Sequence, residues 1–190
     1  MVEKFATLVA SGEGKVVEKM SRFLSFAHSV SSVDEAKEVV ADYANRYHDA
    51  RHVCWAYMIG PERAVYQSND NGEPSGTAGK PILGQIISFG ITDVVIVVVR
   101  YFGGIKLGTS GLITAYREAA RRAIEGAVIV EREVMEDVSI IFGYMEMNTV
   151  MTLVKSIPNL TVTEQQFDNT CRMVLRVPRS AVPMFSRWQA

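Results

Sequence analysis

The run Arg100-Tyr101-Phe102-Gly103-Gly104-Ile105-Lys106-Leu107-Gly108-Thr109-Ser110-Gly111 has the make-up of an anion-holding loop. Glycine lacks the Cβ that would keep a ligand from the backbone. Where such a loop opens a helix, several main-chain N–H groups can converge on one phosphate or carboxylate. Gly103, Gly104, Gly108, Thr109, Ser110 and Gly111 are the candidate contacts, with Arg100 and Lys106 as the cations beside them. A second short run, Gly76-Thr77-Ala78-Gly79-Lys80-Pro81, adds Lys80. Neither run is a Walker loop. After Gly103 four residues lead to Gly108, but Thr109 stands where the lysine belongs, and before Lys80 the first glycine is replaced by Pro74. The same glycines also suit a tight strand-to-helix turn.

Charge favours the anion reading. The whole chain carries a formal charge of -1, yet residues 77–122 hold six basic side chains against two acidic ones, a local +4. Such a stripe is the footprint of a bound polyanion, although a solvated helix face also accounts for Arg117, Arg121 and Arg122. Two other clusters could do chemistry. His52 and Cys54 lie two apart on a strand and share a face, the geometry of a thiol–imidazole dyad, but no third group is evident and buried cysteines are usually inert. Asp70 and Glu73 could pair as acid and base or hold a divalent cation, and equally could be no more than a turn.

These residues need elements to position them. Ser32-Val33-Asp34-Glu35 reads as a capping box, followed by Val33, Ala36, Val39, Val40, Tyr43 and Tyr47 as one apolar helical stripe. Phe5–Val9, Phe23–Val30, Val53–Ile59 and Ala64–Asn69 read as strands. Ile82, Leu83, Ile86, Ile87 and Phe89 form a short helix stopped by Gly90. Val94–Val99 is apolar without alternation, which predicts a central strand covered on both faces. The glycine-rich loop leaves that strand and enters a helix lined by Leu112, Ile113, Tyr116, Ala119, Ala120, Ala123 and Ile124. Beyond it, short strands surround one helix, Asn148–Ser156, and a final helix is expected over Ala181–Trp188. The charged stretch Glu131–Asp137 suggests a junction near Glu136, dividing the chain into residues 1–136 and 137–190.

At 48% hydrophobic and 22% charged residues, the composition is that of a globular α/β protein, not a disordered chain. No apolar run approaches the roughly 20 residues of a membrane span, and the N-terminus has no secretory pattern, which points to the cytoplasm. Cys54 and Cys171 form no C-x-x-C pair. No zinc-ligand spacing and no dinucleotide fingerprint occurs, so no metal or organic cofactor is expected.

Three blocks in order carry a family resemblance: Asp70-Asn71-Gly72-Glu73-Pro74, Gly76-Thr77-Ala78-Gly79-Lys80-Pro81, and Val99 to Thr109. Together with Ala50-Arg51-His52 and Cys54 they resemble the YigZ/IMPACT family over Met20 to about Gly126. The remainder resembles the small C-terminal domain of the family's bacterial branch. Asn69 and Asn71 depart from the usual serine and second aspartate, which weakens a metal cluster, and Ser110 replaces a glycine without closing the loop. The resemblance implies an N-terminal domain like the second domain of ribosomal protein S-five and the penultimate domain of elongation factor G. It also implies a ferredoxin-like C-terminal domain, here lacking its last strand. Both folds handle RNA, and the eukaryotic branch regulates translation. The expectation is a non-catalytic protein that contacts RNA, the ribosome or a translation-associated partner through the basic loop, without DNA sequence specificity. The alternative is a hydrolase-like enzyme using the His52, Cys54, Asp70, Glu73 and Arg100 neighbourhood on a small anionic substrate.

Overall fold

Val94–Val99 is fully buried because both of its faces are roofed by helices. The computed structural model, which describes residues 1–190, places this run in β6 (Val94–Tyr101), the middle of a five-stranded sheet. The sheet is built from β2 (Gly12–Glu18), β3 (Ser21–Ser29), β6, β4 (His52–Ile59) and β5 (Val65–Asn69), in that order. Every pairing is antiparallel. Val94, Ile96 and Val98 point into a core shared with α2 (Gly79–Phe89) and α3 (Gly108–Glu125). Val95, Val97 and Val99 point the other way, toward Phe26, Tyr43 and Tyr57 on the side of α1 (Val33–Arg46). Period-two alternation therefore vanishes from the sequence, since neither face meets water.

Local signals explain the helix ends. Ser32 Oγ accepts from the Glu35 N–H at 3.1 Å, while the Glu35 carboxylate accepts from the N–H and hydroxyl of Ser31, one residue earlier than a reciprocal capping box. Gly90 ends α2 in the left-handed region, at φ 67°. The strand β2 was not anticipated, because Gly12-Glu13-Gly14-Lys15 lacks an apolar pattern. It joins β3 through a two-residue turn, Lys19-Met20, with both residues at positive φ, as the tight hairpin demands. A separate pair, β1 (Lys4–Ala10) and β7 (Val128–Glu133), completes this part of the chain.

Two units emerge, one spanning Phe5–Arg132 and the other Glu133–Ala190 with Met1–Lys4. The division thus falls before Glu136, and the charged stretch expected as a junction is occupied by the end of β7 and the start of β8 (Met135–Phe142). Its charges sit on largely solvent-facing strand positions. Met1–Lys4 belongs with the second unit because Glu3 accepts from the Val134 N–H at 2.8 Å and Val2 accepts from Arg179 Nη1 at 2.7 Å.

In that unit, α4 (Met147–Ser156) and a 3₁₀ segment, Arg179–Trp188, cover one face of an antiparallel sheet ordered β8, β10 (Cys171–Pro178), β9 (Thr161–Phe167). Ile140, Phe142, Met173, Leu175 and Phe185 form its core. The expected α-helix over Ala181–Trp188 is 3₁₀ instead. Pro183 lies inside it and has no N–H to give to an α-helical ladder. Beyond it, a single antiparallel bridge joins Gln189 to Ile140. The chain is a mixed α/β protein on antiparallel sheets, and no helix is long and apolar enough to cross a membrane.

Candidate functional site

The C-terminal end of β6 brings the sequence candidates together. Arg100 pairs in register with His52 on β4 and with Phe23 on β3, so one strand end gathers a guanidinium, an imidazole and an aromatic ring. The turn leaving β5 folds back over this spot. Asn71 and Gly72 adopt positive φ, and Asn71 clamps the end of β4 by accepting from the Val53 N–H at 2.8 Å and from His52 Nδ1 at 2.7 Å. This swings Glu73 under the sheet, where its side chain is only 3% exposed.

Glu73 is the hub of a buried polar network. Arg100 Nη1 lies 2.9 and 2.7 Å from its two carboxylate oxygens, the Tyr116 hydroxyl donates at 2.6 Å, and His52 Nε2 stands 3.2 Å from Oε1. Arg100 Nη2 donates to Ser21 Oγ at 3.3 Å, and Ser21 Oγ also accepts from the Gly103 N–H. A buried pair of charges costs desolvation, and only this many hydrogen bonds offset it. His52 stands between two acceptors, the Asn71 carbonyl and the Glu73 carboxylate. Burial first, then the neighbouring Cys54 and Glu73, pushes the Tyr116 phenol upward, so it stays a neutral donor to the carboxylate.

Asp70 and Glu73 have parted company. Asp70 accepts from the backbone N–H groups of Gly76, Ala78 and Gly79 at 2.9, 3.1 and 2.8 Å, which pins the Gly76–Lys80 run and the start of α2. Burial raises its pKa, but these three bonds outweigh it and hold the carboxyl below its ordinary value. The two carboxylates therefore serve different donors, and no three His, Cys, Asp or Glu side chains converge as a metal site.

Cys54 shares the face of His52, but its thiol lies within hydrogen-bond reach of the Asp70 carbonyl at 3.1 Å and the Tyr116 hydroxyl at 3.4 Å. Burial, with Glu73 and Asp70 adding to it against the Tyr116 bond, pushes the thiol up to about 12. A thiol so protonated is no nucleophile near neutral pH.

Above the network lies a cleft of about 400 Å³, lined by Arg51, His52, Glu73, Arg100, Phe102, Lys106, Gly108 and Thr109 among others. Its far wall is the N-terminus of α3. Leu107 holds the cap position and offers no side-chain acceptor to the first N–H groups. The loop glycines differ in task. A Cβ on Gly103 would stand 2.1 Å from the Met20 carbonyl carbon, so this glycine lets the loop rest on the β2–β3 turn. Gly104, at φ 89°, and Gly108, at φ 75°, have nothing within 4 Å of a built Cβ and are chosen by backbone conformation.

Not every candidate meets here. Ser110 and Gly111 face a different hollow, beside Val16–Lys19, and Lys80 lies on α2 by the Asp70 turn. Arg121 and Arg122 are paired with Glu118, so the helix-face share of the basic stripe is largely neutralised. Sequence reasoning missed Tyr116, which was assigned to the apolar face of α3, and it missed Ser21, Arg51 and Phe102. A tyrosine in an Ala-, Leu- and Ile-lined stripe was a legible signal, since a buried phenol needs a polar partner.

Residues 19–124 match the Impact N-terminal domain. The chain is 39% identical over 135 residues to the IMPACT family member YvyE of Bacillus subtilis (strain 168), covering 71% of this chain and 62% of that protein. It is 40% identical over 121 residues to the IMPACT family member YigZ of Escherichia coli (strain K12), covering 62% of this chain and 59% of that one. The matches thus span about three fifths of the length of these two relatives. A crystal structure of a hypothetical protein has the same fold, with a TM-score of 0.76 at 28% identity over 98% of this chain and 91% of that one.

Proposed function

This chain belongs to the IMPACT family, and on that premise we propose that it is a non-catalytic binding protein linked to the regulation of translation, which takes RNA phosphate at the cleft beside Lys106. The observation that carries this reading is the contrast between a floor whose opposite charges are paired and an open, cationic wall. Glu73, Arg100, Tyr116 and His52 occupy one another, and the Cys54 thiol is kept protonated. The side chains of Arg51 and Lys106 and the uncapped start of α3 stand at the same cleft. Cations and helix N–H groups, beside a lining carboxylate already paired with Arg100, are what a phosphate requires.

Support for translation comes from the family, whose eukaryotic branch regulates it. The ferredoxin-like assignment of the second unit belongs to the same proposal. Its strand order β8-β10-β9 and the Gln189 bridge on the outer edge of β8 fit such a unit.

The test is RNA binding as a function of salt. Affinity should fall steeply with ionic strength and depend little on sequence. Lys106→Ala should reduce the magnitude of the slope by roughly 0.7 for a single strand, the share of one phosphate contact. A wild-type protein without salt-dependent RNA or ribosome binding, yet turning over a small anionic compound, would give the site to the enzyme reading.

A further inference from the structure

We propose that the cleft holds one phosphorylated nucleotide, its phosphate against Lys106 and the α3 N-terminus and its base on the ring of Phe102. Size is the first reason. About 400 Å³ lies within the range of small-ligand pockets, roughly 300–1,000 Å³, and matches a single unit rather than a track for a strand. The second reason is the start of α3, a helix of 18 residues whose cap residue Leu107 supplies no acceptor, with Lys106 immediately before it. A helix terminus alone is common. Here it faces a cleft that also contains Arg100, only 5% exposed, whose Nε is buried without a partner. A buried guanidinium N–H left unpaired in a residue that lines the cleft is a donor in want of an oxygen.

The third reason is Phe102, a large apolar ring left 38% exposed on the cleft wall. Arg51 lies over it at 5.1 Å from the ring centroid. Such an exposed cation–π contact is weaker than the stacking of a base on an aromatic ring, so a base displaces it. The freed guanidinium of Arg51 is then available to the phosphate, which gathers two exposed cations and the helix N–H groups around a dianion. A phosphate monoester uses that charge better than the singly charged diester inside a strand. The ligand is therefore a nucleotide with a terminal phosphate, either free or at the 5′ end of an RNA.

This inference rests on the phosphate reading above but separates from it in experiment. Anisotropy of a short 3′-labelled oligoribonucleotide is measured with a 5′-phosphate and with a 5′-hydroxyl, and adenosine 5′-monophosphate is titrated as competitor. The phosphorylated RNA should bind roughly tenfold more tightly, and the mononucleotide should displace it. Phe102→Leu should weaken the mononucleotide and the phosphorylated RNA several-fold, and Lys106→Ala should narrow the difference between the two RNAs. Equal affinity for the two RNAs, with no displacement by the mononucleotide, overturns the nucleotide cleft and leaves general RNA binding standing. Mononucleotide binding, followed by heteronuclear NMR, without binding of either RNA supports the cleft and removes the RNA reading. If none of the three probes binds, both fall.

Discussion

The floor and the rim of one cleft are built on opposite principles. On the floor, the Glu73 oxygens meet donors from Arg100 and Tyr116, His52 Nε2 stands 3.2 Å away, and the carboxylate is all but sealed from water. On the rim, the side chains of Arg51, Phe102 and Lys106 are exposed, and two glycines sit at positive φ with open space around them. Both regions are rich in charge, so charge alone does not mark function. A cation whose partner is already fixed carries the fold, and one that faces solvent beside an uncapped helix can carry a ligand.

Substitutions should separate the two regions. The largest effect is expected at Glu73→Leu, which leaves Arg100 buried without its counter-charge and should lower unfolding stability by about 3–5 kcal/mol. Urea unfolding reads this, and an unchanged midpoint with lost RNA binding would move Glu73 from the floor to the rim. Tyr116→Phe removes one bond to the carboxylate and should cost about 1.5–3 kcal/mol in the same assay. Gly103→Ala drives a Cβ into the Met20 backbone and should cost about 1–3 kcal/mol, whereas Lys106→Ala should stay within about 0.5 kcal/mol while weakening RNA binding. If Lys106→Ala unfolds the protein, the contrast between the regions fails.

Acid should act through Asp70. Its folded-state pKa is depressed, so its contribution is present above the unfolded value near 4 and is lost as the pH falls through the lower folded value. Asp70→Asn should therefore flatten part of the decline of the urea midpoint below about pH 4. The smallest expected signal is at Cys54, which should resist iodoacetamide at mildly alkaline pH in the native protein and react after denaturation, as mass spectrometry would register.

Much of the scaffold was legible because its signals are local. Val94–Val99 declared a strand buried on both faces, and Ser32 and Gly90 marked helix ends through chemistry held within a few residues. β2 was missed because its glycines and charges conceal a strand defined only by pairing with β3. The site was half legible. His52, Glu73 and Arg100 were named, but that His52 and Arg100 meet at the Glu73 carboxylate depends on the Asn71 turn folding onto β4, a contact between residues 18 and 19 apart in sequence. Ser21 lies 79 residues from Arg100, and no spacing rule reaches that far.

The seat of Gly103 on the Met20 carbonyl ties the glycine loop to a turn that touches none of the cleft. Lys19 and Met20 both hold a conformation that side chains resist, so the hairpin is a spring held under slight load. Replacing the pair by Asn-Gly would relax that spring while keeping the carbonyl the loop rests on. The stiffness of the rim could then be adjusted from behind, as a bridge is tuned on a stringed instrument, without altering any side chain that lines the cleft.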